Sequence, residues 1–145
     1  MIEYRTFDTA QLPQVLVLYE EAGWTAYLGD VPKLERAFQN SLYLLGAFDG
    51  ARLAGFLRCV GDGEHIVLVQ DLLVSASCRR QGVGTALMDR ARDAFSHVRA
   101  FVLTTDAADQ QANAFYRALG LKQYHDMGLT GYWWPSLERN RLENT

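Results

Sequence analysis

The chain has 145 residues, of which 49% are hydrophobic and 21% charged, and its formal net charge is −3. These values fit a single folded domain, argue against disorder and against nucleic acid as the main partner, and are compatible with a cationic small substrate. The two cysteines, Cys59 and Cys78, lie neither in a CxxC pair nor at metal spacing from a histidine, so we expect free thiols and no metal site.

The start of the chain and its hydropathy bear on location. Residues 1–5 lack the basic region and apolar core of a signal peptide. No apolar run approaches the roughly 20 residues that a membrane span requires. The sequence therefore predicts a cytoplasmic protein with no membrane partner, formed by one domain over residues 1–135 and a polar tail over residues 136–145.

The first part of the chain predicts one strand and two helices. Apolar and polar residues alternate over residues 2–7, which is the pattern of a strand. Asp8 or Thr9 then caps a helix that ends before Gly23. A second helix begins at Asp30-Val31-Pro32, because aspartate is a good cap and proline fits the first helical turn.

The middle of the chain predicts an antiparallel set of strands. Residues 43–48 and 52–60 are expected as strands joined by the two-residue turn Asp49-Gly50. Residues 65–74 form a third, longer strand. Its apolar residues occupy both parities, so we expect it to be central and covered on both faces.

The last part of the chain predicts helices that alternate with strands. A helix is expected over residues 83–95, a strand over residues 101–104 and another helix over residues 112–119. Residues 121–124 and 129–134 are predicted as two final strands. Strand–helix–strand steps after an antiparallel series predict a mixed α/β sheet covered by helices.

Residues 75–85 carry the clearest chemical signal. A buried strand ends, a basic loop follows and a helix begins, so amides at the helix start lack internal partners and favour an anion. Gly82 and Gly84 let phosphate oxygens approach the backbone, and Arg79 and Arg80 add positive charge. Because Walker A and GxGxxG patterns are both absent, the segment predicts a pyrophosphate site of another kind.

Two motifs in this half of the chain resemble those of one enzyme family. Arg79, Gly82 and Gly84 fill the pattern Arg/Gln-x-x-Gly-x-Gly/Ala, which is similar to the coenzyme A loop of the GNAT superfamily of N-acetyltransferases. Residues 113–121 resemble the family's second signature, Asn-x-x-Phe/Tyr-Tyr-x-x-x-Gly-Phe, shortened by one residue. The resemblance runs from the first strand to Trp134. It implies a mixed, mostly antiparallel sheet of six to seven strands with splayed central strands, flanked by about four helices.

The resemblance also implies the cofactor and the reaction. Acetyl-coenzyme A would be bound by loop amides at its pyrophosphate and by the end of the preceding strand along its pantetheine arm. A neutral primary amine of a small molecule would attack the thioester directly, without an acyl-enzyme. The implied cofactor-binding residues are Leu72, Leu73, Val74, Arg79, Arg80, Gln81, Gly82, Val83, Gly84, Thr85, Asn113 and Tyr116.

The second signature implies a catalytic acid. Tyr116 occupies the position at which the family places the group that protonates the departing thiolate. The alternative for Tyr116 is a core aromatic whose hydroxyl is satisfied by a hydrogen bond. Asn113 occupies a position that commonly contacts the cofactor, and its alternative role is at the start of the helix.

The general base has no fixed position in this family. Asp71 is the first candidate, because desolvation in an apolar strand would raise the pKa of its carboxyl toward a useful range. Its alternative role is structural, with the carboxylate holding a strand bulge by hydrogen bonds. Glu64 and His65, at the start of the same strand, are the next candidates, acting through water, with a turn or strand-end role as their alternative.

Aromatic residues mark the expected acceptor site. Trp24 and Tyr27 lie between the first two helices, and Tyr132 lies near the end of the chain. Aromatic faces attract ammonium groups, so these side chains would suit a small amine. The early Gly-Trp and the ending Tyr-Trp-Trp-Pro also bear a weaker resemblance to plant-type serotonin N-acetyltransferases. Core packing or a homodimer contact is the alternative role for these residues.

Two other functions remain open on the same fold. One is a protein or peptide N-acetyltransferase, which requires an open peptide groove. The other is a non-catalytic module that binds acyl-coenzyme A as a sensor. The presence of Tyr116 argues against the sensor, and no sequence feature marks a peptide groove.

Overall fold

The computed structural model describes residues 1–135, so the polar tail expected at residues 136–145 lies outside the described residues. The chain divides into two compact units, the first formed by Met1–Leu103 and the second beginning at Thr104. The single domain expected over residues 1–135 stays a prediction. Among residues 1–135, no helix has both the length and the apolar character needed to cross a membrane.

The first unit contains a five-stranded mixed sheet whose strands lie in chain order. The strands are β1 (Ile2–Thr6), β2 (Tyr43–Asp49), β3 (Arg52–Gly61), β4 (Ile66–Val74) and β5 (Ala100–Leu103). The first three neighbouring pairs are antiparallel and the last pair is parallel, which confirms the expected mixed, mostly antiparallel class. In the β2–β3 hairpin Asp49 pairs with Arg52, so the turn residues are Gly50 and Ala51, one position later than predicted.

Four α-helices occur within the described residues, as expected: α1 (Leu12–Ala22), α2 (Val31–Gln39) and α3 (Val83–Ala94) in the first unit, and α4 (Gln110–Ala118) in the second. The predicted cap of the second helix is present, whereas Asp8 caps a short 3₁₀ turn and α1 begins after Gln11 without a side-chain cap. The Asp8 carboxylate accepts the Ala10 amide at 2.8 Å in a 3₁₀ turn before α1, and the Asp30 carboxylate accepts the Lys33 amide at 3.1 Å. α1 ends at Gly23 in the left-handed conformation, with φ 76°.

A β-bulge in β4 reverses the alternation of its side chains between the two faces of the sheet. Cys59 pairs with Val69 and Arg58 pairs with Asp71, so Gln70 is an extra residue in β4. Because side chains alternate along a strand, an extra residue reverses the parity beyond it. Val69 therefore points to one face and Asp71 to the other.

Contacts with the helices identify these two faces. The ring of Tyr43, whose pairing partner is Cys59, packs edge-on against Phe95 at the end of α3. On the opposite face the Arg58 guanidinium lies 5.2 Å from the ring centre of Phe38 in α2. The prediction of a central strand covered on both faces is thus confirmed for β4.

The two parallel strands separate part of the way along β4. Residues Ile66 to Val69 of β4 pair with Ala100 to Leu103 of β5, and β5 ends there. Residues 70–74 of β4 continue beyond the end of β5. This separation is the splay that the resemblance implied, and it begins at the bulge.

The second unit contains α4 and a 3₁₀ turn at Tyr124–Met127. The prediction of strands over residues 121–124 and 129–134 is wrong, so the described sheet has five strands rather than six to seven. Local hydrogen bonds take the amides that a strand would use: Gly128 donates to the His125 carbonyl at 3.1 Å and Leu129 donates to the Tyr124 carbonyl at 2.8 Å. Alternating apolar residues are compatible with a strand, but a strand also requires a partner. Here the amides of Gly128 and Leu129 form hydrogen bonds within the segment instead.

Candidate active site

A buried polar cluster lies on the α1 side of β4, around the carboxylate of Asp71. The Arg58 Nε donates to its Oδ2 at 2.6 Å, and the Tyr19 hydroxyl donates to the same oxygen at 2.8 Å. The Tyr27 hydroxyl donates to Oδ1 at 3.0 Å. Asp71 is 1% exposed and Arg58 is 5% exposed, so the ion pair is almost wholly removed from water.

Charge and burial fix the protonation of the groups around Asp71. Burial raises the pKa of the Tyr19 and Tyr27 hydroxyls and the Asp71 charge raises them further, so both remain hydrogen-bond donors. Burial opposes the charge on Arg58, but the adjacent Asp71 outweighs it and leaves the pKa of the guanidinium raised. Both oxygens of the Asp71 carboxylate already accept hydrogen bonds from these donors. This arrangement supports the structural alternative for Asp71 over the role of general base.

Arg58 extends the cluster toward α2. Its Nη1 donates to the Ser41 Oγ at 3.2 Å, and that hydroxyl donates to the Ala37 carbonyl at 2.8 Å. The guanidinium also lies over the Phe38 ring. The ion pair therefore joins α1, α2 and the two central antiparallel strands through a chain of satisfied groups.

Three aromatic rings stack beside Asp71. The ring centres of Tyr19 and Tyr27 are 4.5 Å apart with an interplanar angle of 21°, and those of Tyr19 and Trp24 are 5.9 Å apart with an angle of 24°. Tyr19 is fully buried, whereas Trp24 is 37% exposed. The structure thus brings together the two predicted acceptor residues of the first unit and gives the group an open aromatic edge. We call Tyr19, Trp24 and Tyr27 the aromatic stack.

Gln70 links the bulge to the aromatic stack. It is exposed, and its Nε2 donates to the Tyr27 hydroxyl at 3.2 Å. Because Gln70 is the first residue of β4 beyond its pairing with β5, its side chain marks the point where the strands separate.

The loop after β4 has the backbone geometry of an anion site. A 3₁₀ turn at Ala76–Cys78 follows the strand, and Arg80 and Gly82 adopt left-handed conformations with φ 64° and 76°. Left-handed residues within a turn direct amides toward a common point, as in anion-binding nests. No side chain caps α3 at Gly82, so the first amides of that helix have no intrahelical partner.

This loop fits the pyrophosphate of the expected cofactor. A Cβ built on Gly82 would meet no atom within 4 Å, so the backbone there faces open space. Arg79 and Arg80 are exposed beside it and can pair with phosphate. The Glu21 carboxylate of α1 accepts the Ala76 amide and so fastens the start of the loop to the helix that leads into the aromatic stack.

The other candidate bases lie at the far end of β4. The amides of Glu64 and His65 each donate to the Asp62 Oδ1 at 2.8 Å, which forms a turn before the strand. These backbone hydrogen bonds, with that of Ile66, lower the pKa of Asp62 to about 2. At about 3.3 Å per residue, His65 is roughly 17 Å along the strand from Gln70. The fold does not bring Glu64 or His65 to the buried cluster.

The candidates of the second unit occupy and follow α4. The Asn113 Nδ2 donates to the Asp106 carbonyl at 3.0 Å and to the Asp109 carbonyl at 2.7 Å, which matches its alternative role at the start of the helix. Tyr116 is half-buried, and burial, with the charge of Asp109, raises the pKa of its hydroxyl. Tyr132 is 95% exposed and lies outside any strand.

Sequence reasoning missed three residues of the cluster: Arg58, Tyr19 and Gln70. A single arginine inside the apolar strand β3 was a readable signal, because a buried cation requires a buried anion. No feature of the sequence indicates the bulge in β4 that pairs Arg58 with Asp71. Without the register, Gln70 reads as an ordinary polar residue in a strand.

Comparison with protein families and solved structures gives a consistent result. The family model described as the acetyltransferase (GNAT) family matches residues 9–121. A GNAT family acetyltransferase of Streptococcus pneumoniae is 36% identical, with a TM-score of 0.79 over 92% of this chain and 97% of that one. Comparison with curated proteins gave no significant match.

More distant solved structures share the fold. The PaiA N-acetyltransferase of Thermoplasma acidophilum, solved with coenzyme A, is 18% identical with a TM-score of 0.69, over 84% of this chain and 90% of that one. An aminoglycoside acetyltransferase from an uncultured soil metagenomic sample, solved with sisomicin, is 17% identical with a TM-score of 0.69, over 92% of this chain and 95% of that one.

Proposed function

Because this chain belongs to the GNAT family of acetyltransferases, whose acetyl donor is acetyl-coenzyme A, we propose that it acetylates a primary amine of a small molecule. The observation that carries the proposal is the aromatic stack, whose Tyr27 hydroxyl contacts Gln70 where the pairing of β4 with β5 ends. Aromatic faces attract ammonium groups, so the partly exposed ring of Trp24 favours a cationic ligand.

The residues of the first unit divide the work of binding. The amides of residues 80–85 and the charges of Arg79 and Arg80 hold the pyrophosphate. The open segment of β4, Leu72 to Val74, offers its backbone to the pantetheine arm. When bound, acetyl-coenzyme A supplies the acetyl group as a thioester. Trp24 and Tyr27 hold the acceptor.

Proton movements require an acid and a base. Tyr116 serves as the acid, because it occupies the position at which the family places this group and its hydroxyl carries a proton at neutral pH. Asp71 acts as a positioning residue that fixes Tyr27, since its two oxygens already accept three hydrogen bonds. The proton of the acceptor ammonium then leaves through water to bulk solvent, and the neutral amine attacks. The predicted role of Asp71 as the base itself remains the competing assignment.

Distant relatives support a small acceptor. One structural neighbour is an aminoglycoside acetyltransferase solved with sisomicin, and another is AAC(6')-Iy solved with the bisubstrate analogue CoA-S-monomethyl-acetylneamine. At 17% identity these neighbours show a shared fold, and the screen below identifies the acceptor of this chain.

The test combines calorimetry with an activity screen. Acetyl-coenzyme A is titrated into the protein, and thiol release is then followed with tryptamine, serotonin, spermidine, an aminoglycoside and a lysine peptide. Cofactor binding with turnover of a small amine supports the proposal. Turnover of the peptide alone replaces it with a protein acetyltransferase, and cofactor binding without turnover of any amine favours the sensor.

A further inference from the structure

We propose that Gln70 orients the acceptor amine, with its side-chain oxygen receiving a hydrogen bond from the amine N–H. The residue sits at the bulge, exposed, where β4 leaves β5. This inference rests on the proposed function and deepens it, because it names the group that aligns the amine. Gln70 is then a specificity-determining residue of the acceptor site.

The orientation of the Gln70 carboxamide follows from a chain of donors that begins at Arg58. A guanidinium has only donors, so the Arg58 Nε must donate to Asp71. The ionised carboxylate has only acceptors, so the Tyr27 hydroxyl must donate its one hydrogen to the Asp71 Oδ1.

With its hydrogen committed, the Tyr27 oxygen can only accept. Its neighbour is the Gln70 side chain, at 3.2 Å, and the carboxamide must therefore present its NH₂ group to Tyr27. The Oε1 atom is thereby directed away from Tyr27. No group of residues 1–103 donates to this oxygen, which leaves it as an acceptor on an exposed side chain.

Because the Gln70 Oε1 is an exposed acceptor with a fixed direction, it favours ligands that can donate a hydrogen bond to it. A primary amine has an N–H for Oε1 and a lone pair for the reaction, so one hydrogen bond can align the lone pair. A carboxamide does not take up a proton at neutral pH, so Gln70 positions the amine and leaves deprotonation to another group. Before it loses its proton, the ammonium form of the acceptor can lie against the aromatic stack, which adjoins Gln70 through Tyr27.

The test is a double-mutant cycle on kcat/KM for the acceptor. Gln70→Ala and Tyr27→Phe are each expected to lower it roughly five- to tenfold, about the worth of one hydrogen bond, with the KM for acetyl-coenzyme A unchanged. If Tyr27 acts through Gln70, Tyr27→Phe has almost no further effect in the Gln70→Ala background.

Tyr19→Phe is the matched control, because it removes a hydroxyl from the same carboxylate without touching Gln70. Its effect is expected to be the same in the wild-type and Gln70→Ala backgrounds. Independent effects of Tyr27→Phe and Gln70→Ala would overturn this inference while leaving the proposed function intact. If the wild-type chain acetylates no amine, the proposed function and this inference fall together.

Discussion

Arg58 and Asp71 face each other across β3 and β4, with Nε and Oδ2 2.6 Å apart and neither side chain more than slightly exposed. They meet because the extra residue Gln70 reverses the alternation of side chains along β4, so that Asp71 points toward α1. Without the bulge, Asp71 would point at the opposite face, where the sheet packs against α3. A single inserted residue therefore creates the pair on which the candidate site is built.

Asp71→Ala is expected to destabilise the fold by about 3–5 kcal/mol, because it leaves the Arg58 charge buried without a partner. Urea unfolding followed by circular dichroism measures the change. Asp49→Ala is the control, since its partner Arg52 lies 3.6 Å away in an exposed pair, for which we expect less than about 1 kcal/mol. Equal losses of stability for the two variants would contradict the view that burial makes the Arg58–Asp71 pair important for stability.

Gly82→Ala is expected to weaken binding of acetyl-coenzyme A about tenfold, because a left-handed φ of 76° strains alanine by roughly 1–2 kcal/mol and shifts the loop. Calorimetric titration measures the affinity. Gly50→Ala is a close match: φ is 62°, no atom lies within 4 Å of an added Cβ, and the residue is in the β2–β3 turn. It should cost similar stability and leave the affinity unchanged, so a parallel loss of affinity would assign the effect to general destabilisation.

Tyr116→Phe is expected to lower kcat by roughly 10²- to 10⁴-fold, the usual contribution of a positioned acid, with cofactor affinity nearly unchanged. Steady-state kinetics with titration of acetyl-coenzyme A separates the two quantities. Tyr43→Phe serves as control, because that hydroxyl is also half-buried with a raised pKa but belongs to the sheet of the first unit. Undiminished turnover in the Tyr116 variant would give Tyr116 its alternative role as a packing residue.

Trp24→Ala is expected to raise the KM for a cationic acceptor about three- to thirtyfold, from the loss of a cation–π contact of roughly 0.5–2 kcal/mol. The KM for acetyl-coenzyme A should not change. Trp24→Phe keeps an aromatic face and should retain most of the affinity. If phenylalanine and alanine give the same KM, the aromatic stack supports the fold rather than the acceptor.

The stability of the protein is expected to fall between pH 9 and 10, because burial raises the pKa of the Cys59 thiol from 9.0 to about 12. A raised folded-state pKa stabilises the protein fully below the unfolded value and loses that contribution as pH rises toward the folded value. One pH unit above 9.0 corresponds to about 1 kcal/mol. Unfolding of Cys59→Val at both pH values should show a smaller decline, and an unchanged decline would exclude the thiol as its source.

Local signals predicted most of the first unit. Asp30 caps α2 and Gly23 ends α1 as expected, because these features depend on neighbouring residues alone, whereas Asp8 caps the 3₁₀ turn before α1. The basic loop and the long central strand were likewise readable from residue types. Residues 121–134 were not, because whether an apolar segment forms a strand depends on a partner strand rather than on its own pattern.

The cluster around Asp71 shows the same division between local and distant causes. Trp24 and Tyr27 were predicted for the acceptor site because aromatic residues in a connection are conspicuous. Arg58 and Tyr19 were missed, since their roles arise from contacts 13 and 52 residues away along the chain. Desolvation alone suggested that Asp71 is the base, whereas its buried ion pair with Arg58 supports the structural alternative, and its role stays a prediction.

The bulge in β4 also has a consequence for how this protein can evolve. Val67 and Val69 pack toward α3, whereas Asp71 and Leu73 pack toward α1, although all four belong to one strand. Substitutions that alter the acceptor side of the sheet therefore occur at different positions of β4 from those that alter its packing against α3. Selection can change the exposed residue Gln70 on the acceptor side while the buried residues of β4 are inherited unchanged.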